Sequence, residues 1–208
     1  MTRTRGKVQN VRADSSAPSQ TWRTFLRNHV GQIVAADFFV VPTATYRLLF
    51  VLVLLAHDRR RIRHVAVTAH PTAAWTAQQL RKAFPWDQAP RYLLHDRDSA
   101  FDRLQTTAKA MGIEEVLTAP RAPWQNPFVE RFVGSARREC FDHVIVFNEV
   151  GLKRLMTLYC SYFERSRTHL SLDKDTPIPR PVMPPGDGTI VAISEVGGLH
   201  HRYERRAA

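Results

Sequence analysis

Cysteine is nearly absent from this 208-residue chain. There are two, Cys140 and Cys160, both in helix-like segments and neither in a metal-ligand spacing. That excludes a disulfide framework and a thiolate zinc site, and a reducing setting is the default. Long apolar runs are missing as well. The longest, Leu48 to Ala56, is too short to span a bilayer as a helix. The opening Met1-Thr2-Arg3-Thr4-Arg5-Gly6-Lys7 has no apolar stretch behind it, so no secretory signal is expected. None of the nine histidines stands four residues from another, which leaves out the helical pair of a hydrolytic zinc site. No internal repeat is visible. Acid is scarce relative to base: 19 Asp and Glu against 30 Lys and Arg give a formal charge of +11. Such an excess attracts polyanions, nucleic acid first. A membrane surface is the alternative, but no basic amphipathic helix with an aromatic row supports it.

Hydrophobic residues make up 44% of the chain, enough for the core of one mid-sized domain. Residues 1–30 read as a basic linker ending in a short helix around Trp22 to His29. From Gln32 the pattern turns to strands, over 32–41, 46–56 and 62–68, joined by short connections as in an antiparallel meander. A helix over 72–84 follows, with Thr72 able to cap it and Pro85 stopping it. A strand at 91–95, a helix at 101–111, a strand at 113–117 and helices at 127–140 and 148–165 complete a core over residues 31–172. Residues 173–208 form a Pro-rich tail with a small hairpin across Val196-Gly197-Gly198. Three antiparallel strands followed by parallel βα units describe an α/β, ribonuclease-H-like fold: a mixed five-stranded sheet flanked by helices.

Three acids fall where that fold would gather them. Asp37 interrupts Ile33-Val34-Ala35-Ala36-Asp37-Phe38-Phe39-Val40-Val41, and an acid inside such a run is costly to bury unless a cation offsets it. Asp96 closes Tyr92-Leu93-Leu94-His95-Asp96, on a strand expected beside the first. Asp98, past the strand end, suits the cap of the next helix. Asn126 and Pro127 mark a helix start. On that helix Val129, Phe132, Val133, Ala136 and Cys140 form one apolar stripe, and Glu130, Gly134 and Arg137 lie on its flank. Arg137 stands nearly two turns above Glu130, with Gly134 leaving space between. Each acid also has a plainer account, as a solvent-facing, turn or helix-surface charge. The Arg59-Arg60-Arg61 run reads first as a solvated hairpin connection.

From Ile33 to Pro177 these residues resemble the DDE transposase and retroviral integrase catalytic core in its bacterial insertion-sequence form. Asp37, Asp96 and Glu130 resemble the three acids, the last interval is close to the family's usual one, and Arg137 matches its basic residue two turns on. Pro120-Arg121-Ala122-Pro123-Trp124-Gln125-Asn126-Pro127-Phe128-Val129-Glu130-Arg131 is similar to the family's loop and helix start. Tyr162 to Leu172 with Thr176-Pro177 is similar to its ending. The resemblance implies DNA strand cleavage and 3′-OH strand transfer by two Mg²⁺ ions, replaceable by Mn²⁺, held by Asp37, Asp96 and Glu130. It further implies contacts to transposon ends and target DNA by Arg121, Trp124, Gln125, Arg131, Arg137 and Arg138, a homo-oligomeric synaptic complex, and a bacterial cytoplasmic, nucleoid-associated setting. Two departures stand out: Asp98 where the family usually has glycine, and no helix-turn-helix pattern before Trp22. Expectations that share the charge or fold are an inactive DNA-binding relic and a ribonuclease-H-like nuclease without strand transfer.

Overall fold

The computed structural model describes residues 21–85, 88–102 and 104–207; of the linker expected over 1–30, residues 1–20 lie outside them. In chain order the elements are α1 (Trp22–His29), β1 (Ile33–Pro42), β2 (Leu48–Ala56), β3 (Ile62–Thr68), α2 (Ala73–Ala83), β4 (Tyr92–His95), α3 (Leu104–Ala110), β5 (Glu114–Leu117), α4 (Pro127–Glu139), α5 (Glu149–Arg165), β6 (Thr189–Glu195) and β7 (His200–Arg206). Five strands form one sheet in the order β3-β2-β1-β4-β5, and β6 pairs with β7 separately. β1, β2 and β3 pair antiparallel, whereas β4 joins β1, and β5 joins β4, in parallel. This is the mixed five-stranded, helix-flanked sheet of the ribonuclease-H-like class.

Both faces of the sheet are covered, which is why β1 and β2 read as nearly unbroken apolar runs rather than as alternating strands. The two-residue period divides their side chains. Ile33, Ala35 and Phe39 of β1 pack with Val51, Val53 and Leu55 of β2 against α4 and α5. Val34 and Ala36 pack with Leu52 and Leu54 against α2 and α3. Position 37 therefore belongs to the α4 face.

Local signals in the sequence account for most element ends. Thr72 Oγ1 accepts the Trp75 N–H at 3.2 Å and starts α2. Asp98 Oδ1 accepts the Ala100 N–H at 2.8 Å, capping a single 3₁₀ turn at Ser99–Phe101, and the helix expected from 101 is described as α3 from Leu104. The stripe on α4 is in the core as expected, with Val129, Phe132, Ala136 and Cys140 buried.

The basic run Arg59-Arg60-Arg61 departs from the solvated connection expected of it. Arg59 Nη2 donates to Asp175 Oδ2 at 2.6 Å and to the Thr176 carbonyl at 2.8 Å, and its Nε donates to the Pro177 carbonyl at 3.0 Å. Arg60 donates to Ser171 Oγ and lies 4.9 Å over the Phe128 ring. The β2–β3 turn thus ties segment 170–177 to the start of α4.

Candidate active site

Strand register brings the first two acids together. β1 and β4 run in parallel with Ile33 opposite Tyr92 and Ala35 opposite Leu94. Two residues beyond that last pair come Asp37, still on β1, and Asp96, just past the end of β4, both with the parity of the α4 face. Glu130 sits in the first turn of α4, which packs on β1 and β2. The three acids line one cleft of about 410 Å³, together with Asp98, Arg97, Asn126 and the 118–122 loop with Arg121.

Electrostatics record that convergence. Asp37 is largely buried, and its carboxyl is pushed up from 3.8 to about 7, first by burial and then by the negative charge of Glu130, Asp96 and Asp98; the Phe38 N–H, donating at 2.8 Å to Oδ1, opposes the rise. Glu130 is raised by its own burial and then by Asp96. Asp96 Oδ1 accepts the Asp98 N–H at 3.0 Å, which shapes the turn after β4. Mutually repelling carboxylates in a chain of net charge +11 are a strained arrangement unless a cation enters. The donors are hard oxygens, which suit Mg²⁺ or Mn²⁺. As placed, no group of three His, Cys, Asp or Glu among the described residues stands close enough to hold one ion. The carboxylates fit the group by the chemistry of their donors and by the shared cleft, not by their spacing.

Likeness to known proteins runs along the same residues. Residues 111–177, from the end of α3 through Glu130 to the Thr176-Pro177 ending, match the integrase core domain family model. This chain is similar to the integrase and transposase catalytic cores. The insertion element IS476 uncharacterized 39.2 kDa protein of Xanthomonas euvesicatoria is 25% identical over 174 residues, 83% of this chain and 46% of that protein. The chain therefore spans about half the length of that curated relative. Among solved structures, the HTLV-2 integrase catalytic core domain in complex with magnesium superposes with a TM-score of 0.54 at 12% identity, covering 71% of this chain and 93% of that one. The catalytic domain of Mos1 mariner transposase gives 0.55 at 13% identity, over 67% and 77%. At such identities the likeness is one of fold.

Around the cleft the remaining expected residues divide. Arg121 lines it, in the left-handed backbone region at φ 58°. Trp124 is 69% exposed but outside it. Gln125 is engaged, its Oε1 accepting the Ala119 N–H at 2.6 Å, which closes the loop upon itself. Arg131, Arg137 and Arg138 are exposed on α4 beyond the cleft. The open space expected at Gly134 is partly filled: a Cβ there would meet Arg138 Nη1 at 3.2 Å. Asn126 occupies the N-cap position of α4 without a side-chain capping bond, and its Oδ1 is buried and unpartnered at the edge of the cleft.

Arg97 was not expected at the site, whereas His95, Arg167 and His169 were noted in the sequence without a fixed role. Arg97 joins the cleft between two acids, and the Asp-Arg-Asp triplet is the only signal that could have marked it. His95 is buried, with Nδ1 2.6 Å from the Asp96 carbonyl and Nε2 3.2 Å from Glu115 Oε1, so it braces the strand end that carries Asp96. Arg167 and His169 are structural. Arg167 grips Glu139 through Nε and Nη2 at 2.7–3.0 Å, Tyr159 donates to the same carboxylate at 3.1 Å, and His169 Nε2 lies 3.2 Å from the Phe163 carbonyl. The Arg-x-His ending therefore anchors the far end of α4, the helix that carries Glu130.

Proposed function

We propose that this chain is a transposase or integrase catalytic domain that cleaves DNA strands and transfers their 3′-OH ends during transposition. Residues 31–172 form its catalytic unit and 173–208 an accessory tail. The observation that carries the proposal is the gathering of Asp37, Asp96 and Glu130, from three separate elements, in one cleft where Asp37 is pushed up to about 7. These three carboxylates would hold two Mg²⁺ ions, with Mn²⁺ as a substitute. Bound there, the ions supply Lewis-acid polarisation of the phosphoryl oxygens and acidify the attacking water or 3′-hydroxyl.

The chain's own residues set the geometry of the reaction. The β1–β4 register places Asp37 on the sheet with Asp96 just past the strand end beside it, and the Arg167–Glu139 clamp holds α4, which carries Glu130. Arg97 and Arg121 present cations at the cleft and suit the scissile phosphate. Arg131, Arg137 and Arg138 extend the basic surface along α4 for phosphates further off, and exposed Trp124 offers a face on which a base can stack. Transposon ends and target DNA are the partners, and joining two ends calls for more than one copy. No helix among the described residues is long and apolar enough to cross a membrane.

Supercoiled plasmid incubated with purified protein and Mn²⁺ tests the proposal, because nicking requires the acids but no cognate end. Nicking by the wild type and not by Asp37→Asn or Glu130→Gln supports it, and strand transfer of a labelled 3′ end then separates a transposase from a nuclease that only cuts. A folded wild type that binds DNA but never nicks would favour an inactive relic.

A further inference from the structure

Two adjacent segments at one end of the molecule expose large apolar side chains. Residues 144–147 connect α4 to α5 without helix or strand, and the Ala44 N–H donates to the Val146 carbonyl at 2.7 Å, which docks this segment beside the β1–β2 turn. Val146 turns inward and is 6% exposed, whereas Ile145 and Phe147 turn out, at 73% and 69%. Val150 in the first turn of α5 adds 76%, and on the turn side Tyr46 and Leu48 add 93% and 53%.

These five side chains offer on the order of 700 Å² of apolar surface, given that a large side chain carries about 150–250 Å². Monomers rarely expose more than about 300–600 Å² in one patch. A standard interface takes about 800 Å² from each partner. Charge indicates what covers it. With a net charge of +11, two copies repel each other over most of their surface, and association is favoured where cations are few. The outward side chains here are uncharged. Arg47 lies between Tyr46 and Leu48, and Glu149 lies between Phe147 and Val150 with Lys153 bonded to it at 2.6 Å, so the rim carries charges of both signs. A two-fold arrangement sets each surface against itself, and a rim of mixed sign tolerates that where a purely basic rim would not.

We propose that the face formed by Tyr46, Leu48, Ile145, Phe147 and Val150 is a homodimer interface, its occupant a second copy of this chain. It supplies a surface for the self-association in the proposed function but stands on exposure and packing, so its test reads no catalysis. Sedimentation equilibrium of the full chain over a wide concentration range is the experiment, comparing wild type with Ile145→Asp/Phe147→Asp and with Val182→Asp, an exposed apolar position on the tail. The expected result is a wild-type and Val182→Asp dimer, and a dissociation constant about a hundredfold or more weaker for the double variant, because symmetry makes each substitution act twice. Unchanged circular dichroism and melting of the double variant show that only association was lost. A wild type that is monomeric throughout, or a dimer indifferent to the double substitution, overturns the proposal.

Discussion

Asp37→Asn should stabilise the metal-free protein, and by more at pH 8 than at pH 5. The carboxyl of Asp37 is raised from 3.8 to about 7 in the folded chain, chiefly by burial and then by Glu130. A group raised on folding contributes stability that is fully present below its unfolded pKa and is lost as pH rises through its folded one. Wild-type stability from this residue therefore falls between about pH 4 and pH 8, as the buried carboxylate is forced to ionise. At about 1.4 kcal/mol for each tenfold, the whole rise from 3.8 to about 7 sets an upper limit of about 4 kcal/mol. Some 2.5 kcal/mol of that lies between pH 5 and pH 8. The cleft is open to solvent, and screening lowers this to about 1–2 kcal/mol. An amide has no charge to bury, so Asn escapes the loss. In EDTA, the melting-temperature advantage of Asp37→Asn over wild type should grow by roughly 2–8 °C from pH 5 to pH 8. Carboxylates elsewhere titrate in both proteins and cancel in the difference. Added Mg²⁺ should then raise the wild-type melting temperature at pH 8, with a smaller effect on the variant. An advantage equal at the two pH values would refute the electrostatic account of the cleft.

Three other substitutions probe the scaffold. Arg167→Ala leaves the half-buried Glu139 carboxylate without its bidentate partner and should cost about 2–3 kcal/mol in urea unfolding, whereas Tyr159→Phe, which removes one hydrogen bond to the same group, should cost about 1 kcal/mol. Gly188→Ala should loosen the β6–β7 hairpin, because Gly188 sits at φ +113° with its missing Cβ directed at the Arg206 carbonyl; hydrogen exchange should quicken in both strands and leave β1 and β2 protected. Gly134→Ala meets only the mobile end of Arg138, so thermal melting should show a gain of up to about 1 kcal/mol from helix propensity, and a loss of several would mean that α4 is packed more tightly than described.

Much of the fold was legible because its signals are local. The apolar runs of β1 and β2, the Thr72 cap, the Asn126-Pro127 start and the 3.6-residue stripe on α4 are short-range patterns that a single sequence displays. Their order alone specified the mixed sheet. What escaped depends on residues far apart in the chain. Nothing local shows that Arg59 would be bonded to Asp175 and the Pro177 carbonyl, that His95 would lie between the Asp96 carbonyl and Glu115, or that Asn126 would start α4 with its amide oxygen unpartnered.

The acids show the same division. Sequence determined that three carboxylates would stand on β1, at the end of β4 and in the first turn of α4, because strand parity and helix period are properties of the chain itself. Only the tertiary structure decided that they share a cleft. The parallel register of β1 with β4 and the packing of α4 on that face bury Asp37 and bring the other acids toward it, and burial first, then the negative charge of Glu130, is what pushes Asp37 up to about 7.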